Sequence, residues 1–354
     1  MLYQMENQHG GDVYGGGITL DFSANTNPLG TPPGVLEAVC RALPQLHRYS
    51  DPYCRRLVQA IAGHEQVPAS YILCGNGAAD LIYTYCAALR PRTAVEPAPT
   101  FAEYGLGLAQ VGCRVTPYFL HQAENFDVDE GFLPFLEEKK PEVVFLCNPN
   151  NPTGRLLPLP LLEWILQGCA AWGARVFLDE CFLDLTEDGV SAKALLAAHP
   201  ELLILKAFTK SYGMAGIRLG YCLCADSALL HRMASASQPW NVSSLAQSAG
   251  VAALTEQGFL RRTRELIRTE RRWLTDNLTA LGFWVCPSQA NYLLFRGPRG
   301  LREGLLRQGI AIRSCGNYSG LDDGWYRIAV RPHEENEALI TAIRQFCKEK
   351  SLWL

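Results

Sequence analysis

Short apolar runs alternate with longer helical patterns between residues 71 and 224, and this alternation constrains the fold more than any other feature of the chain. Strands are predicted at Ile72–Cys74, Thr93–Glu96, Val143–Cys147, Arg175–Asp179, Leu202–Leu205 and Arg218–Cys224. Helices are predicted between them at Ala78–Leu89, Phe101–Val111 and Leu159–Trp172. This order predicts an α/β fold with a mostly parallel, doubly wound sheet and helices on both faces.

The pattern changes after Pro239. The later elements are a long helix at about Gln257–Leu281, strands at Asn291–Arg296, Ala311–Arg313 and Tyr326–Val330, and a last helix from Glu334. These elements predict a second, smaller α+β domain, and a chain of 354 residues exceeds what one ordinary core organises. We therefore predict an N-terminal arm over residues 1–40 that packs with the small domain, a large domain over 41–238 and a small domain over 239–354.

The charge of the chain is nearly balanced, with 32 lysine and arginine residues against 35 aspartate and glutamate residues. A nucleic-acid-binding protein usually has a basic excess, so we expect no nucleic-acid partner and favour a small-molecule ligand. The arginines between Arg261 and Arg272 could form a basic groove on the long helix. Glu265 and Glu270 lie among them, which favours an ordinary solvated face.

The cysteines and the N-terminal residues bear on the location of the protein. Thirteen cysteines is an odd number, and only Cys222 and Cys224 form a close pair, so neither a disulfide framework nor a metal site is predicted. Residues 1–7 lack a basic region followed by an apolar stretch, and no apolar run is long enough to span a bilayer. We expect a cytoplasmic protein without a membrane partner.

The segment Gly75–Asp80 follows a predicted strand and opens a predicted helix. Backbone N–H groups at such a helix start can hold a phosphate. The segment also imitates a dinucleotide fingerprint, with Glu96 as a ribose-binding acid, and this would suit a nicotinamide dehydrogenase. Asp80 stands where that fingerprint has its third glycine, and Pro97 follows Glu96 directly, so the dehydrogenase is a weak alternative.

Two further segments follow predicted strands. Asn148–Gly154 combines rigid prolines with several amide side chains at a strand end, where ligands of open α/β sheets bind. Asp179 and Glu180 end the next strand, and because adjacent strand residues point to opposite faces, only one of them is expected to face a ligand.

Lys210 lies in a segment of small and hydroxyl residues and precedes Arg218 by eight positions. Surface charge would be the ordinary explanation of such a lysine. Together with a phosphate-binding helix start and a buried acid at other strand ends, however, the pattern indicates a lysine that binds a carbonyl group covalently.

In this combination and order the motifs resemble the fold-type I pyridoxal-phosphate (PLP) enzymes, the aspartate-aminotransferase superfamily. The resemblance covers nearly the whole chain and implies PLP as cofactor. Lys210 would bind PLP covalently and later move protons at the substrate carbon, and Asp179 would keep the pyridine nitrogen protonated. Asn151 would hold the phenolic oxygen of the cofactor, and Phe101 would stack on its ring.

The resemblance also implies a phosphate site and a homodimer. The residues that would hold the cofactor phosphate are Asn76, Gly77, Ala78, Thr209 and Arg218. Tyr49 matches a tyrosine that reaches this phosphate from the neighbouring subunit. Three positions depart from the aminotransferase pattern: Phe182 replaces a frequent tyrosine, Ala207 lacks a frequent hydroxyl, and Ser50 replaces the usual proline.

Within the superfamily, some segments are similar to a subgroup that decarboxylates L-threonine O-3-phosphate in cobalamin biosynthesis. These segments are His9–Gly11, Asp21–Asn25, Asn27–Gly30, Phe101–Gly105 and Ile312–Cys315. The substrate-binding residues implied are His9, Asn25, Asn151, Arg313 and Arg327, and the match leaves open which arginine meets carboxylate and which meets phosphate. A histidinol-phosphate-type aminotransferase is the alternative. A PLP-fold effector module of a transcription regulator is disfavoured, because such a module needs an attached DNA-binding domain.

Overall fold

The computed structural model of the protein describes residues 9–350. Its strands are β1 Leu20–Asp21, β2 Ile72–Gly75, β3 Thr93–Ala98, β4 Arg114–Phe119, β5 Val143–Cys147, β6 Arg175–Asp179, β7 Leu202–Ala207, β8 Gly220–Cys224, β9 Trp284–Val285, β10 Tyr292–Arg296, β11 Ile310–Ala311, β12 Arg313–Ser314 and β13 Trp325–Ala329. Its helices are α1 Pro33–Ala42, α2 Arg55–Glu65, α3 Ala78–Leu89, α4 Glu103–Gln110, α5 Phe132–Lys139, α6 Leu159–Trp172, α7 Phe208–Ser211, α8 Ser227–Ala236, α9 Ser244–Ala253, α10 Phe259–Ala280, α11 Leu301–Leu306 and α12 His333–Glu349.

The large sheet has the strand order β2-β8-β7-β6-β5-β3-β4. Strands β3 to β7 pair in parallel, and β8 is antiparallel to both of its neighbours. Along β5, Val144 and Leu146 enter the core on one face, while Val143 and Phe145 enter the core on the other. Both faces are therefore buried, which explains the unbroken apolar strands and confirms the predicted mostly parallel α/β sheet.

A second sheet of order β12-β13-β10-β9 is antiparallel and packs against α10 and α12. Strand β1 lies beside β11, with Leu20 opposite Ile310, so part of the N-terminal region joins this smaller unit. Helix α1 packs instead against α9, whose buried alanines belong to the core of the large sheet. The division at residues 40 and 238 remains a prediction.

The strand predictions differ from the structure in three places. Strand β4 was missed because it lies at the sheet edge, is only partly buried and contains Pro117, so it lacks a continuous apolar run. Arg218 was placed on a strand, but it adopts a left-handed conformation with φ 61° in the turn before β8. The expected strand Ala311–Arg313 is divided between β11 and β12, which belong to different sheets.

Candidate active site

A cavity of about 210 Å³ lies where β5, β6 and β7 end. It gathers most of the predicted site residues, which come from the whole length of the chain. The predicted residues that line it are His9, Asn25, Ala78, Phe101, Asn151, Asp179, Thr209, Lys210, Arg218, Arg313 and Arg327. Asn76, Gly77 and Tyr49 are not in this lining.

Lys210 projects from the short helix that follows β7. Its Nζ lies 5.6 Å from the centroid of the Phe182 ring. Burial lowers the pKa of Lys210 to about 8, and the cationic side chains of Arg327 and Arg218 contribute in the same direction. A substantial fraction of the amine is therefore neutral near physiological pH, which a nucleophilic lysine requires.

The turn that carries Lys210 is held by hydrogen bonds from side chains of the N-terminal region. Asn27 Nδ2 donates hydrogen bonds to the Ser211 carbonyl oxygen at 2.8 Å and to Thr263 Oγ1 at 3.0 Å. The Thr31 hydroxyl donates to the Gly213 carbonyl oxygen at 2.8 Å. Residues 27–31 thus hold the backbone directly after the lysine.

Asp179 ends β6 with its carboxylate in the cavity. The Tyr104 hydroxyl donates to Oδ2 at 2.7 Å, and the backbone N–H of Cys181 donates to Oδ1 at 2.8 Å. Burial raises the pKa of Asp179, and the two hydrogen bonds and the charge of Lys210 oppose that rise. The carboxylate is thus firmly oriented and suited to pair with a cationic group of a ligand.

Glu180 directly follows β6 and points away from the cavity. Its Oε2 accepts from the Ser191 hydroxyl at 2.6 Å, and its Oε1 accepts from the Ala192 N–H at 2.8 Å. Burial raises the pKa of Glu180 to about 7. Glu180 therefore fastens a loop, and Asp179 alone of the pair faces the cavity.

The start of α3 forms one end of the cavity, with Ala78 at its edge. Gly77 has φ 87°, and a Cβ there would come within 2.5 Å of Arg218 Nη2, so the guanidinium lies directly against the helix start. Asn76 N–H donates to Asp80 Oδ2 at 3.0 Å, and Gly77 N–H donates to the Gly75 carbonyl oxygen at 2.8 Å. The N-terminal end of α3 and the Arg218 guanidinium together form a site suited to binding an anion.

Arg327, on β13, is buried beside the cavity. Its Nη1 donates to Asn151 Oδ1 at 2.6 Å, and its Nη2 donates to the Ser23 carbonyl oxygen at 2.8 Å. Arg327 Nε and Asn25 Oδ1 are buried and have no hydrogen-bond partner within residues 9–350. Such groups cost free energy, of order 1–3 kcal/mol each, unless a ligand or water meets them.

Arg313 lies on the neighbouring strand β12 and is less buried. Its Nη1 donates to the Ser314 carbonyl oxygen at 2.6 Å, and its Nη2 donates to Asn317 Oδ1 at 2.8 Å. Its guanidinium carbon lies 5.4 Å from the centroid of the Tyr318 ring. With Arg327 and His9 it forms what we call the basic set of the cavity (His9, Arg313 and Arg327).

The loop Asn148–Gly154 uses its asparagines for different purposes. Asn148 Oδ1 accepts from the Leu157 N–H at 2.9 Å, and Asn150 Oδ1 accepts from the Thr100 hydroxyl at 2.8 Å. These two amides hold the loop together. Asn151 is the asparagine of this loop that lines the cavity, as predicted.

Comparison with known proteins places this geometry in a family. The model of the aminotransferase class I and II family matches residues 18–343. The chain belongs to this family. Its fold is the type I fold of PLP-dependent transferases, as predicted.

Relatives of two activities occur within the family. The chain is 41% identical to threonine-phosphate decarboxylase of Salmonella typhimurium over 329 residues, which cover 92% of this chain and 90% of that protein. It is 34% identical to histidinol-phosphate aminotransferase of Geobacillus sp. over 350 residues, which cover 96% and 93%. The crystal structure of L-threonine-O-3-phosphate decarboxylase from Porphyromonas gingivalis superposes with a TM-score of 0.84 at 26% identity, covering 93% of this chain and 99% of that one.

Tyr49 lies outside the cavity of its own chain. Tyr49 is 80% exposed, and its ring stacks on that of Trp240 with the centroids 4.5 Å apart.

Across residues 9–350 none of the helices combines the length and apolar character needed to cross a membrane.

Family motifs identified the lining of the site but not all of its support. The sequence predicts no role for Glu103 or Tyr104, although the Tyr104 hydroxyl donates to Asp179 and Glu103 contacts His9. Phe101 and Tyr104 are three positions apart at the start of α4, so both side chains lie on the same side. This spacing could have predicted that Tyr104 faces the site and contacts Asp179.

Proposed function

We propose that this protein is a PLP-dependent carboxy-lyase that converts L-threonine O-3-phosphate to (R)-1-amino-2-propanol O-2-phosphate in cobalamin biosynthesis. The observation that carries the proposal is a single cavity containing both a nucleophilic lysine with an oriented aspartate and a basic set of three side chains. The decarboxylase relative of Salmonella typhimurium, at 41% identity, supports the same reaction.

The cavity suits PLP by charge and by position. The start of α3, Thr209 and Arg218 would hold the anionic phosphate, and Asp179 would pair with the pyridine nitrogen. Asn151 would hold the phenolic oxygen, and Phe101 would cover the ring. When bound, PLP supplies an electron sink that accepts the electron pair released at the substrate carbon.

The basic set would bind the two anionic groups of the substrate, its carboxylate and its phosphate. Arg327 is fixed by Asn151 and by the Ser23 carbonyl oxygen, so it offers a preoriented guanidinium, while His9 and Arg313 complete the set. The bond that breaks must stand perpendicular to the cofactor ring. Orientation of the substrate by these side chains would therefore select carbon–carbon cleavage over removal of the α-proton.

Lys210 would complete the reaction by moving a proton. When the carbon–carbon bond breaks, CO2 leaves and the bonding electron pair stays with the substrate carbon. One proton must then be added to that same carbon. An amine with a pKa near 8 holds and releases a proton readily around neutral pH, which suits Lys210 for this step.

A homodimer with Tyr49 contributed across the interface is part of the proposal. Large apolar side chains are exposed on α1, on the segment that follows it and at Trp240, which stacks on Tyr49: Leu36, Leu43, Leu46, Tyr49, Tyr53 and Trp240. A patch of this kind supports an interface between copies of the chain. The proposal also includes a cytoplasmic location, supported by thirteen free cysteines between Cys40 and Cys347.

A histidinol-phosphate-type aminotransferase would need the same Lys210 and Asp179, and the 34% identical relative from Geobacillus sp. favours it as the second candidate. Phe182 replaces a tyrosine frequent in aminotransferases and counts against it. The two reactions are separated by incubating the PLP-loaded enzyme with phosphothreonine in the absence of any keto acid. Release of CO2 supports the lyase, whereas turnover that requires 2-oxoglutarate overturns it in favour of the aminotransferase.

A further inference from the structure

Glu103, the first residue of α4, holds two side chains from different parts of the chain. Its Oε1 lies 2.7 Å from His9 Nε2, and its Oε2 accepts a hydrogen bond from the Tyr83 hydroxyl at 2.7 Å. The Glu103 side chain is only 12% exposed. Both oxygens thus accept from donors, and the contact with His9 is the main reason that the pKa of Glu103 is lowered.

The backbone beside His9 is also built for close contact. Gly10 packs so tightly against the Ser23 carbonyl that a Cβ there would collide with it, and Gly11 N–H donates to Ser23 Oγ at 2.8 Å. The Ser23 carbonyl oxygen in turn accepts from Arg327 Nη2 at 2.8 Å. His9 is therefore joined to Arg327 through the backbone and to α4 through Glu103.

The contact with Glu103 has a chemical consequence for His9. An imidazole that is neutral and donates its Nε2 hydrogen to Glu103 has only an acceptor at Nδ1, and an acceptor repels an anion. An imidazole protonated at both nitrogens donates one hydrogen bond to Glu103 and can donate the other to a phosphate. In both forms the carboxylate oxygen 2.7 Å from Nε2 fixes the orientation of the imidazole ring.

We propose that Glu103, supported by Tyr83, is a specificity-determining positioning residue. It orients His9 in the cavity as a hydrogen-bond donor to the substrate phosphate. The preference for a phosphorylated over an unphosphorylated amino acid then depends on a carboxylate that does not itself touch the substrate. This inference rests on the proposed function, because that function supplies the phosphorylated substrate.

The test compares Glu103→Gln with Glu265→Gln, which makes the same change at an exposed ion pair with Arg261 on α10. Each PLP-loaded variant is assayed with phosphothreonine and with threonine. For Glu103→Gln we expect KM for phosphothreonine to rise about tenfold, with kcat and the kcat/KM for threonine little changed. The Glu265→Gln control should match the wild type, and Tyr83→Phe should shift KM in the same direction by about two- to threefold.

A double-mutant cycle with His9→Asn separates positioning from general damage to the pocket. In the His9→Asn background, Glu103→Gln should have no further effect, because the side chain that it orients is gone. The proposal is overturned if Glu103→Gln lowers kcat/KM equally for both substrates, or if it leaves the kinetics unchanged. It is also overturned if the effects of the two substitutions multiply in the double variant.

Binding of inorganic phosphate to the PLP-loaded protein, measured by titration calorimetry, provides a readout independent of turnover. We expect weaker binding in Glu103→Gln and in His9→Asn than in the wild type. If the wild type releases no CO2 but Glu103→Gln still weakens phosphate binding, the proposed function fails and the positioning role stands. Equal phosphate binding in all three proteins would overturn the positioning role whatever the reaction.

Discussion

The two sides of the cavity are built in different ways. The strand-end set (Asp179 and Lys210) lies at the ends of two adjacent parallel strands: Asp179 ends β6, and Lys210 is on α7, directly after β7. The basic set (His9, Arg313 and Arg327) combines the N-terminal region with two strands of the small sheet. The first set depends on local strand ends, whereas the second exists only after distant segments have packed together.

Their hydrogen-bond partners differ in the same sense. Asp179 is held by Tyr104 and Cys181, close to the large sheet. Arg327 is held by Asn151 and Ser23, which come from the loop after β5 and from the N-terminal region. We therefore expect changes in the strand-end set to remove the chemistry, and changes in the basic set to alter the choice of substrate.

The largest effect is expected for Lys210→Ala. CO2 release should fall by at least about 10³-fold, because the covalent nucleophile is lost while the fold is kept. Lys206 cannot replace it, since it is buried and paired with Asp184 at 2.8 Å. Borohydride reduction followed by peptide mass spectrometry should locate the cofactor on Lys210 in the wild type and in a Lys193→Ala control. Reduced cofactor on a different lysine would contradict the assignment.

Asp179→Asn should come next, with a loss of kcat on the order of 10² or more, because the charge that would pair with the pyridine nitrogen disappears. Glu180→Gln is the matched control, since it makes the same change at the neighbouring residue on the opposite face. We expect it to lower the melting temperature while kcat stays within a few-fold of the wild type. Near-normal turnover by Asp179→Asn would mean that Glu180, or neither carboxylate, plays this role.

Within the basic set, Arg313→Ala and Arg327→Ala should each lower kcat/KM for phosphothreonine by roughly 10- to 150-fold, the range for a charge-assisted hydrogen bond of about 1.5–3 kcal/mol. Assays with threonine then distinguish the two arginines. Substitution of the arginine that binds phosphate should leave turnover of threonine unchanged. Substitution of the arginine that binds carboxylate should lower turnover of both threonine and phosphothreonine. Equal kcat/KM for the two substrates in the wild type would remove the case for a phosphate pocket.

The smallest effect concerns pH. The neutral amine attacks the cofactor, and the pKa of Lys210 is lowered to about 8, so attachment of PLP to the apoprotein should accelerate as pH rises and level off above that value. Between pH 7 and pH 9 the neutral fraction grows about tenfold. Stopped-flow absorbance measures this rate. A rate still rising steeply above pH 10 would indicate a lysine with an ordinary pKa.

Much of the fold and of the strand-end set could be predicted from the sequence, because fully buried strands leave unbroken apolar runs and their ends contain recognisable motifs. The edge strand β4 escaped prediction since half-exposed edges tolerate polar residues and proline. The engagement of the Asn76 N–H by Asp80 also escaped prediction, because a side chain of the same helix start competes for it. The contacts of His9 with Glu103 depend on packing between remote segments, which no local pattern specifies.

The hydrogen bonds from Asn27 and Thr31 to the backbone after Lys210 have a consequence for the construction of chimeras between family members. Exchanging the whole N-terminal region to change substrate choice would also replace the residues that hold the lysine turn. A crossover between Asn25 and Asn27 would instead transfer His9 and Ser23 and leave that fastening intact. Within the N-terminal region, the residues that contact the basic set and the residues that hold the lysine turn are thus separated at Thr26.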